Sequence, residues 1–335
     1  MIRSLVTIQR VRQISVIPES DFLELAHIMG WQCVVKKGEF REGDIGVYFE
    51  VDSFLPVESR YEFLRASSYR ENDDNGTGFR IRTMRLRGQL SQGLLLPIAS
   101  FPEFKELGEG EDVTEKLGVK KWYIPETATA GGIVIGERPS ILPTSDEIRA
   151  QSALELLARL SGKPYCITTK MDGTSGTVYC IDGKVGCCSR NKEIKDEEGA
   201  LYWMPVYKNN LKEKLPALGK NILMIGEICG PGIQKNKLRL PNIEWYVFDM
   251  LDLDSREYYP YDKMRNVCES LGIAAVPLEE CGEQFAYSLE DLLEKAKGKY
   301  PSGLDKEGIV VRDALRPKSI SFKVLNNDAL LKEKD

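Results

Sequence analysis

The chain reads Tyr165-Cys166-Ile167-Thr168-Thr169-Lys170-Met171-Asp172-Gly173 at the point that decides its fold. The first six residues predict a β-strand that ends in a lysine. Asp172 follows Lys170 by two residues, so both side chains point to the same side of an extended chain. Gly173 allows a backbone or a ligand to approach closely. Taken alone, the stretch is also compatible with a surface turn, because Asp-Gly is a common turn pair.

Lys170 is a candidate nucleophile. A lysine side chain is charged and unreactive near neutral pH, because its reference pKa is about 10.4. Burial and nearby positive charge lower this pKa and release the amine for covalent catalysis. We therefore expect a lowered pKa at Lys170.

The composition is that of a globular protein, and 335 residues predict two domains. The single histidine, His27, argues against histidine-based catalysis and a structural zinc site, so we assign it a structural role. Eight scattered cysteines without a Cys-x-x-Cys pair favour a reducing compartment. The N-terminus shows no secretion signal or membrane span, so we expect an intracellular protein, cytoplasmic or nuclear. The net charge of −5 means that any nucleic-acid surface is local.

Turn residues and apolar runs predict the domain organisation. Residues 1–120 contain short strands typical of a small barrel, at Trp31 to Lys36, Asp44 to Glu50, Phe79 to Leu86 and Gln92 to Pro97. Residues 121–143 are rich in Gly and Pro and predict a linker. Residues 144–335 form the second predicted domain.

The second domain begins with a predicted helix. Thr144 and Glu147 have the spacing of a capping box, an apolar stripe follows, and Gly162 suits the end of the helix. Further helices are predicted near Met264 to Leu271 and Leu289 to Lys297. The predicted strands are Tyr165 to Lys170, Gly176 to Ile181, Lys184 to Cys188, Asn221 to Cys229, Trp245 to Met250 and Gly308 to Arg312.

Five further blocks follow the lysine stretch in a fixed order. They are Ser189-Arg190-Asn191, Gly226-Glu227-Ile228, Trp245-Tyr246-Val247-Phe248-Asp249, Asp305-Lys306-Glu307-Gly308-Ile309-Val310-Val311 and Ser321-Phe322-Lys323-Val324. The six blocks resemble motifs I, Ia, III, IIIa, IV and V of the covalent nucleotidyltransferase superfamily of RNA ligases, DNA ligases and capping enzymes. The stretches from Gly30 to Phe40 and from Asp52 to Pro56 also resemble the N-terminal domain of the Deinococcus/Naegleria-type ATP-dependent RNA ligases. The resemblance covers nearly the whole chain.

The resemblance implies an α+β fold. An OB-like β-barrel comes first, and a nucleotidyltransferase (ligase adenylation) domain of antiparallel sheets with flanking helices follows. It also implies a monomeric RNA ligase that uses ATP and Mg²⁺ or Mn²⁺. Such an enzyme seals 3′-hydroxyl/5′-phosphate nicks in duplex RNA or an RNA/DNA hybrid, through lysyl-AMP and an adenylated strand.

The resemblance assigns roles to residues of the second domain. Lys170 attacks ATP, and Lys323 and Arg190 act on the adenylate phosphate, to which Arg149 is a further candidate. Phe248 and Val310 contact the two faces of adenine, and Thr169, Gly173 and Ser175 border the nucleotide. Asp172, Glu227 and Glu307 serve the metal, and carboxylate oxygens are the ligands that Mg²⁺ prefers.

The first domain has its own basic residues. Arg80, Arg82, Arg85 and Arg87 alternate with apolar residues and predict one basic strand face that contacts phosphates. Lys36 and Lys37 form a weaker cluster. A solvated face that balances nearby acids is the alternative.

Two positions depart from the related motifs. Ser175 stands where DNA ligases usually carry arginine, and Leu325 stands where phage RNA ligases carry a second lysine. Lys318 is a weak candidate for that second lysine. The alternatives are a DNA ligase, a GTP-dependent capping enzyme and a non-catalytic nucleic-acid-binding protein.

Overall fold

Residues 4–18, 20–72, 75–122 and 131–332 are described by this computed structural model. Contacts between Cα atoms divide the chain into two units, Met1–Pro125 and Glu126–Lys334. No helix in the described residues is long and apolar enough to span a membrane.

The first unit is built almost entirely of short strands. The described residues of this unit include one α-helix, α1 (Arg65–Ser68), and 3₁₀ turns at Ser59–Leu64, Ile98–Ser100 and Pro102–Phe104. The strands are β1 (Val6–Arg10), β2 (Gln13–Val16), β3 (Leu23–Ile28), β4 (Trp31–Lys36), β5 (Ile45–Phe49), β6 (Ser53–Leu55), β7 (Tyr69–Asn72), β8 (Gly76–Arg80), β9 (Thr83–Leu86), β10 (Gln89–Gln92), β11 (Leu94–Pro97) and β12 (Lys120–Lys121).

These strands form four sheets, in the orders β1-β5-β11, β2-β3-β4, β10-β9 and β12-β6-β8-β7. Buried aromatic residues, among them Trp31, Phe49 and Phe79, fill the space between the sheets. Side-chain bonds add to the backbone ladders, as where the Val34 amide donates to the Ser91 hydroxyl at 3.1 Å. Over the described residues the four sheets do not join into one closed barrel, so the predicted barrel is an open one.

The predicted basic strand face of the first unit is wrong. Strand β8 ends at Arg80, and β8 and β9 belong to different sheets. The guanidinium of Arg80 lies over the Trp122 ring at 5.2 Å, whereas Arg85 and Arg87 are exposed near the β9–β10 turn. Arg82 lies between the two strands. The alternation of Arg with apolar residues suggested one continuous strand, but these residues run from β8 of one sheet to β9 of another.

The second unit has strands and helices in alternation along the chain. The strands are β13 (Val134–Glu137), β14 (Ile148–Arg149), β15 (Tyr165–Lys170), β16 (Thr174–Ile181), β17 (Lys184–Cys188), β18 (Lys192–Ile194), β19 (Ile222–Cys229), β20 (Glu244–Asp252), β21 (Glu257–Tyr258), β22 (Ala274–Ala275), β23 (Leu278–Gly282), β24 (Gly308–Asp313) and β25 (Ser321–Leu325). The helices are α2 (Leu154–Leu160), α3 (Met204–Lys208), α4 (Leu211–Ala217), α5 (Tyr261–Leu271), α6 (Leu289–Ala296) and α7 (Asn327–Lys332), with a 3₁₀ turn at Ala150–Ser152.

Two sheets organise this unit. One has the order β13-β18-β17-β16-β19-β20-β21, with β22 added beside β20, and the other has the order β14-β25-β24-β15-β23. Apart from β14 beside β25 and β20 beside β22, the strands are antiparallel. Apolar side chains of α3, α4 and α5 pack on the larger sheet, and those of α2 and α6 pack on the smaller one. The predicted α+β fold with antiparallel sheets and flanking helices is therefore confirmed.

The predicted helix start at Thr144 is wrong. Residues 143–147 belong to no helix or strand, Arg149 belongs to β14, and the helix starts only at Leu154. The capping-box spacing misled because Glu147 is a largely buried partner of Arg312 and Lys318 instead of a helix cap. The predicted linker also differs, because its residues 134–137 form β13 at the edge of the larger sheet. Residues 123–130 of that linker lie outside the described part.

Two of the eight cysteines are paired, contrary to the expectation of reduced thiols. Cys166 of β15 and Cys281 of β23 are directly opposite in the ladder and form a disulfide, with Cα atoms 4.2 Å apart. The two residues are 115 positions apart in sequence, so no local Cys spacing could indicate the pair.

Candidate active site

The site is built around the end of β15. Lys170 is the last residue of that strand and lies opposite Gly308, the first residue of β24. The φ angle of Gly308 is +149°, and a Cβ atom there would come 2.1 Å from the Val324 carbonyl oxygen. Only glycine fits, so the chain after Glu307 can approach the neighbouring strand closely.

Tyr300 holds the two strand ends together. Its buried hydroxyl donates to the Lys170 carbonyl oxygen at 2.7 Å and accepts from the Glu307 amide at 3.1 Å. One side chain therefore fixes the separation between the backbone of the lysine and that of the acid. No sequence pattern indicated this role, because Tyr300 lies outside all six blocks.

Carboxylates surround the ammonium of Lys170. Its Nζ atom lies 2.8 Å from Glu307 Oε1. Burial lowers the pKa of Lys170, but the charges of Glu307, Glu227 and Asp172 outweigh it and raise the pKa to about 12. The lowered pKa predicted from the sequence requires added positive charge near Lys170, whereas in the protein without ligands three acids are its neighbours.

The same acids suit a divalent cation. Burial raises the pKa of Glu227 to about 7, and the charges of Glu307 and Asp172 add to that effect against the opposing charge of Lys170. Carboxylates that raise each other's pKa in this way require added positive charge, and their oxygens are suitable ligands for Mg²⁺ or Mn²⁺. Among the residues described, no three Asp, Glu, His or Cys side chains already form a metal-binding group.

Asp172 is joined to a basic side chain that the sequence did not single out. Lys237, in the connection between β19 and β20, places Nζ 3.2 Å from Asp172 Oδ2. Gly173 then packs so tightly that a Cβ atom would come 2.3 Å from the Ile228 carbonyl oxygen. The turn after Lys170 is thus held against β19.

One row of residues crosses the smaller sheet. Strand register places Arg149, Lys323, Val310 and Thr168 opposite one another on four adjacent strands. Residues directly opposite in a ladder have side chains on the same face. Ile309 and Val311 alternate with Val310 and pack among the residues of α2 and α6, so the row lies on the face away from those helices.

Asp146 brings two of the predicted phosphate-binding cations together. Its Oδ2 lies 2.9 Å from Arg190 Nη2, and its Oδ1 lies 3.2 Å from Lys323 Nζ. Arg190 lies in the turn between β17 and β18, and Lys323 lies on β25 of the other sheet. They are 133 residues apart in sequence, yet both reach one carboxylate. A position between two cations that holds an anionic group is also suited to a phosphate.

The predicted adenine contact, Phe248, lies on β20 and is half-buried. It lines a pocket together with Thr168 and Arg312. The Arg312 guanidinium donates to the Phe248 carbonyl oxygen at 2.7 Å and joins the two sheets behind the ring. Val310 is the neighbour of Thr168 across the ladder.

A buried ionic network supports this pocket. Arg312 and Lys318 both contact Glu147 and Asp249, at distances between 2.7 and 3.5 Å. Burial raises the pKa of Glu147, but the two cations prevail and lower it to about 2. Lys318, the weak candidate for a second catalytic lysine, is committed to this network.

Glu279 makes a further link beside Lys170. Glu279 of β23 accepts from the Thr169 hydroxyl at 2.9 Å and from the buried Lys306 ammonium at 2.6 and 2.7 Å. Thr169 and Lys306 immediately precede Lys170 and Glu307. The glutamate therefore ties together the two chain segments that carry the lysine and its acid.

Of the predicted site residues of the second unit, Glu307, Glu227 and Asp172 thus lie near Lys170, and Arg190 and Lys323 meet at Asp146. Ser175 lies opposite Glu227 in the β16–β19 ladder. Lys36 and Lys37 are exposed and belong to the first unit, as do the four arginines.

Comparisons with known proteins show the family and the fold. A family model described as an OB-fold domain matches residues 5–98, and one described as RNA ligase matches residues 163–325. The structure is similar to Naegleria gruberi RNA ligase with pyrophosphate, at 35% identity and a TM-score of 0.92, with 100% of both chains covered. It is also similar to a mutant of that enzyme with ATP and Mn, at 35% identity and a TM-score of 0.90, with 98% of both chains covered. A further mutant with AMP and Mn has 35% identity and a TM-score of 0.92, with 99% of this chain and 100% of that chain covered. A search of curated proteins found no match.

Proposed function

This chain belongs to the RNA ligase family, and we propose that it is an ATP-dependent ligase that seals 3′-hydroxyl/5′-phosphate nicks in duplex RNA or RNA/DNA hybrids. The observation that carries the proposal is the placement of Lys170 among three acids at a strand end, next to a cation pair that shares one carboxylate. Similar structures contain ATP, AMP or pyrophosphate. These are the substrate and products of nucleotidyl transfer.

In the first step, Lys170 loses a proton and its Nζ attacks the α-phosphorus of ATP. A phosphorus–nitrogen bond forms, the bond to the β-phosphate oxygen breaks, and pyrophosphate leaves. Tyr300 and Glu279 keep the lysine and Glu307 in register during this attack. Such positioning supplies much of the rate in phosphoryl transfer, where the protein has little covalent work to do.

We propose that Asp172, Glu227 and Glu307 hold Mg²⁺ or Mn²⁺. The metal supplies positive charge that lowers the pKa of Lys170 and neutralises the phosphates. Arg190 and Lys323 leave Asp146 and bind the adenylate phosphate, and Arg149 is the next cation in the same row of the sheet. Phe248 stacks on adenine with Val310 on the other face, and Thr169, Gly173 and Ser175 border the nucleotide.

In the second step, a 5′-phosphate oxygen of the nicked strand attacks the adenylate phosphorus and the bond to lysine breaks. In the third, the 3′-hydroxyl attacks the activated 5′-phosphate and AMP leaves. Electrostatic stabilisation of the phosphates by the same cations serves each step. We propose that the first unit contacts the duplex through its exposed cations, among them Lys36, Lys37, Arg85 and Arg87.

The test uses four nicked duplexes that differ only in the sugar on each side of the nick. We expect fast sealing when ribonucleotides carry the 3′-hydroxyl, and tolerance of DNA on the 5′-phosphate side. The 2′-hydroxyl distinguishes RNA from DNA, and a displacement of about 1 Å at the attacking oxygen costs roughly a hundredfold in rate. Equal rates with a DNA 3′-hydroxyl strand would instead identify a DNA ligase, and labelling of the protein by GTP but not ATP would identify a capping enzyme.

A further inference from the structure

Residues 230–243 connect β19 to β20 and form a basic loop. The 230–243 loop carries Lys235, Lys237 and Arg239, and no acidic residue lies between Glu227 and Glu244. The net charge of the whole chain is −5, so the loop is opposite in sign to the protein that carries it. A local excess of cations on an acidic protein is suited to a polyanion.

Two of the three cations are not used inside the protein. Lys237 is paired with Asp172, and its carbonyl oxygen accepts from the Ser302 hydroxyl. Lys235 and Arg239 are exposed, and within residues 131–332 neither makes an ion pair or a side-chain hydrogen bond. They therefore differ from Arg190 and Lys323, whose charges meet Asp146.

The loop has a specific backbone shape. Gln234, Asn236 and Arg239 all have positive φ angles, of 47°, 43° and 52°. Residues other than glycine rarely adopt this left-handed conformation, and it persists where neighbouring groups enforce it. The Asn236 side-chain amide donates to the Leu240 carbonyl oxygen at 3.0 Å, and its oxygen accepts from the Leu240 amide at 3.1 Å. The two free cations are thus presented on a shaped loop rather than on an open turn.

The loop is anchored to the residues that follow the nucleophile. The Gln234 side-chain amide donates to the Gly173 carbonyl oxygen at 3.4 Å, and Lys237 reaches Asp172. Leu238 and Leu240 pack in the cluster that contains buried Met171. All of these contacts fall on Met171, Asp172 and Gly173, directly after Lys170. A ligand held by Lys235 and Arg239 would therefore lie beside the reacting lysine.

We infer that the 230–243 loop binds the sugar-phosphate backbone of the strand that the enzyme seals, with Lys235 and Arg239 contacting its phosphates. Lys237 joins the loop to Asp172 and so ties strand binding to the nucleophile. The β- and γ-phosphates of ATP offer the same chemistry. The strand is favoured because Lys235 and Arg239 lie on the exposed side of the loop, whereas Lys237 is the residue that reaches the site. The inference rests on the proposed function, and phosphate contacts of this kind do not depend on base sequence.

The test compares Lys235→Gln/Arg239→Gln with the control Lys163→Gln/Lys184→Gln. Lys163 and Lys184 are exposed residues of the same unit, and neither has a side-chain partner among residues 131–332. Binding of a fluorescent nicked RNA duplex is measured between about 50 and 200 mM salt, without ATP or divalent metal. Each lost phosphate contact reduces the slope of log K against log salt by about 0.7 to 0.9. We expect the loop variant to lose about 1.4 to 1.8 of this slope and the control to keep the parent value.

Protein adenylylation by labelled ATP is measured on the same variants, and the loop variant should be labelled at the parent rate. A parent-like salt slope in the loop variant would overturn the inference. A raised KM for ATP with unchanged duplex binding would also overturn it, since the two cations would then serve the triphosphate. A parent protein that takes no label from ATP and seals no nick would contradict the proposed function instead, and the salt slopes would still decide the role of the loop.

Discussion

Individual side chains decide whether Lys170 can react. In the protein without ligands, its ammonium is held by Glu307 and its pKa is raised to about 12, so the amine is charged. The chemistry therefore depends on engaging the acids and on keeping the lysine in place while that happens. Tyr300 meets the second need, because one hydroxyl contacts the backbone of both Lys170 and Glu307.

Lys170→Ala should abolish ATP-derived label on the protein, because no other residue offers a nitrogen at that position. Sealing of a pre-adenylated strand should survive at least in part, since that substrate bypasses the first step. The measurement is gel labelling with ATP beside a sealing assay on the pre-adenylated nick. Undiminished labelling of the variant would rule out Lys170 as the nucleophile.

Tyr300→Phe should slow adenylylation by about 10- to 100-fold, because a small displacement of the lysine is costly in rate. The loss of a buried hydroxyl also leaves two backbone groups unpaired, at a cost of about 1–3 kcal/mol in stability. Tyr261→Phe is the matched control, since its hydroxyl donates to the Val276 carbonyl oxygen at 2.8 Å and contacts neither Lys170 nor Glu307.

The two tyrosine variants are compared by single-turnover labelling and by thermal unfolding. We expect both to lose stability and only Tyr300→Phe to lose most of the labelling rate at saturating ATP. Equal rates in the two variants would mean that Tyr300 supports the fold and not the position of Lys170.

At the scale of elements, β15 is the strand on which the site depends, and its far end is also secured. Glu280 of β23 accepts from the hydroxyls of Tyr165 and Tyr287 and pairs with Lys295 of α6. These groups tie β15, β23 and α6 into one assembly. Burial raises the pKa of Glu280, but the hydrogen bonds from Lys295 and the tyrosines prevail and lower it to about 2.

This carboxylate should contribute to stability in a pH-dependent way. Its folded-state pKa of about 2 lies below the usual glutamate value near 4.5. The stabilisation is therefore complete above pH 4.5 and is lost as pH falls toward 2. For Glu280→Gln, we expect a loss on the order of 2 kcal/mol at pH 7 that shrinks below pH 4.5. Denaturant unfolding of parent and variant across this range measures it, and a constant difference at all pH values would contradict the assignment.

Prediction from sequence succeeded where the pattern is local. The β15 and β17 boundaries, and the apolar runs of β19 and β24, follow from short continuous signals that no distant residue needs to complete. It failed at Thr144, because Glu147 is held by Arg312 and Lys318, which lie 165 and 171 residues further along the chain. Tyr300, Glu279 and Asp146 act through contacts of the same long-range kind, so no spacing could identify them.

For the whole molecule, the boundary of the second unit matters to any dissection of function. The edge strand β13 starts at Val134, and the Arg138 side chain donates to Thr177 at 2.8 Å and to the Pro143 carbonyl oxygen. A fragment that begins at residue 144 would lack both, although the sequence alone suggested that start. A fragment that begins at residue 131 keeps them.

The fragment 131–335 should take label from ATP, because Lys170, its acids and the cation pair all lie within it. Sealing of a nicked duplex should fall by about tenfold or more, since the exposed cations of the first unit are removed. The fragment 144–335 should be less stable than 131–335 in thermal unfolding. Nick sealing by 131–335 at the rate of the full chain would show that the first unit is dispensable.

The pairing of Asp146 with Arg190 and Lys323 changes how stability and activity trade off in this protein. Reactive sites often strain a fold, because groups of like charge face each other before substrate arrives, and neutral substitutions then relieve the strain. Here Lys170, Lys237, Arg190 and Lys323 each meet a carboxylate of the resting protein. Removing Lys170 or Lys237 would take a charge partner from half-buried Glu307 or Asp172, and removing Arg190 or Lys323 would take one of two charge partners from Asp146. Variants that lose one of these four cations should consequently melt earlier than the parent, and mutational scans scored only by yield of soluble protein would class these positions as purely structural.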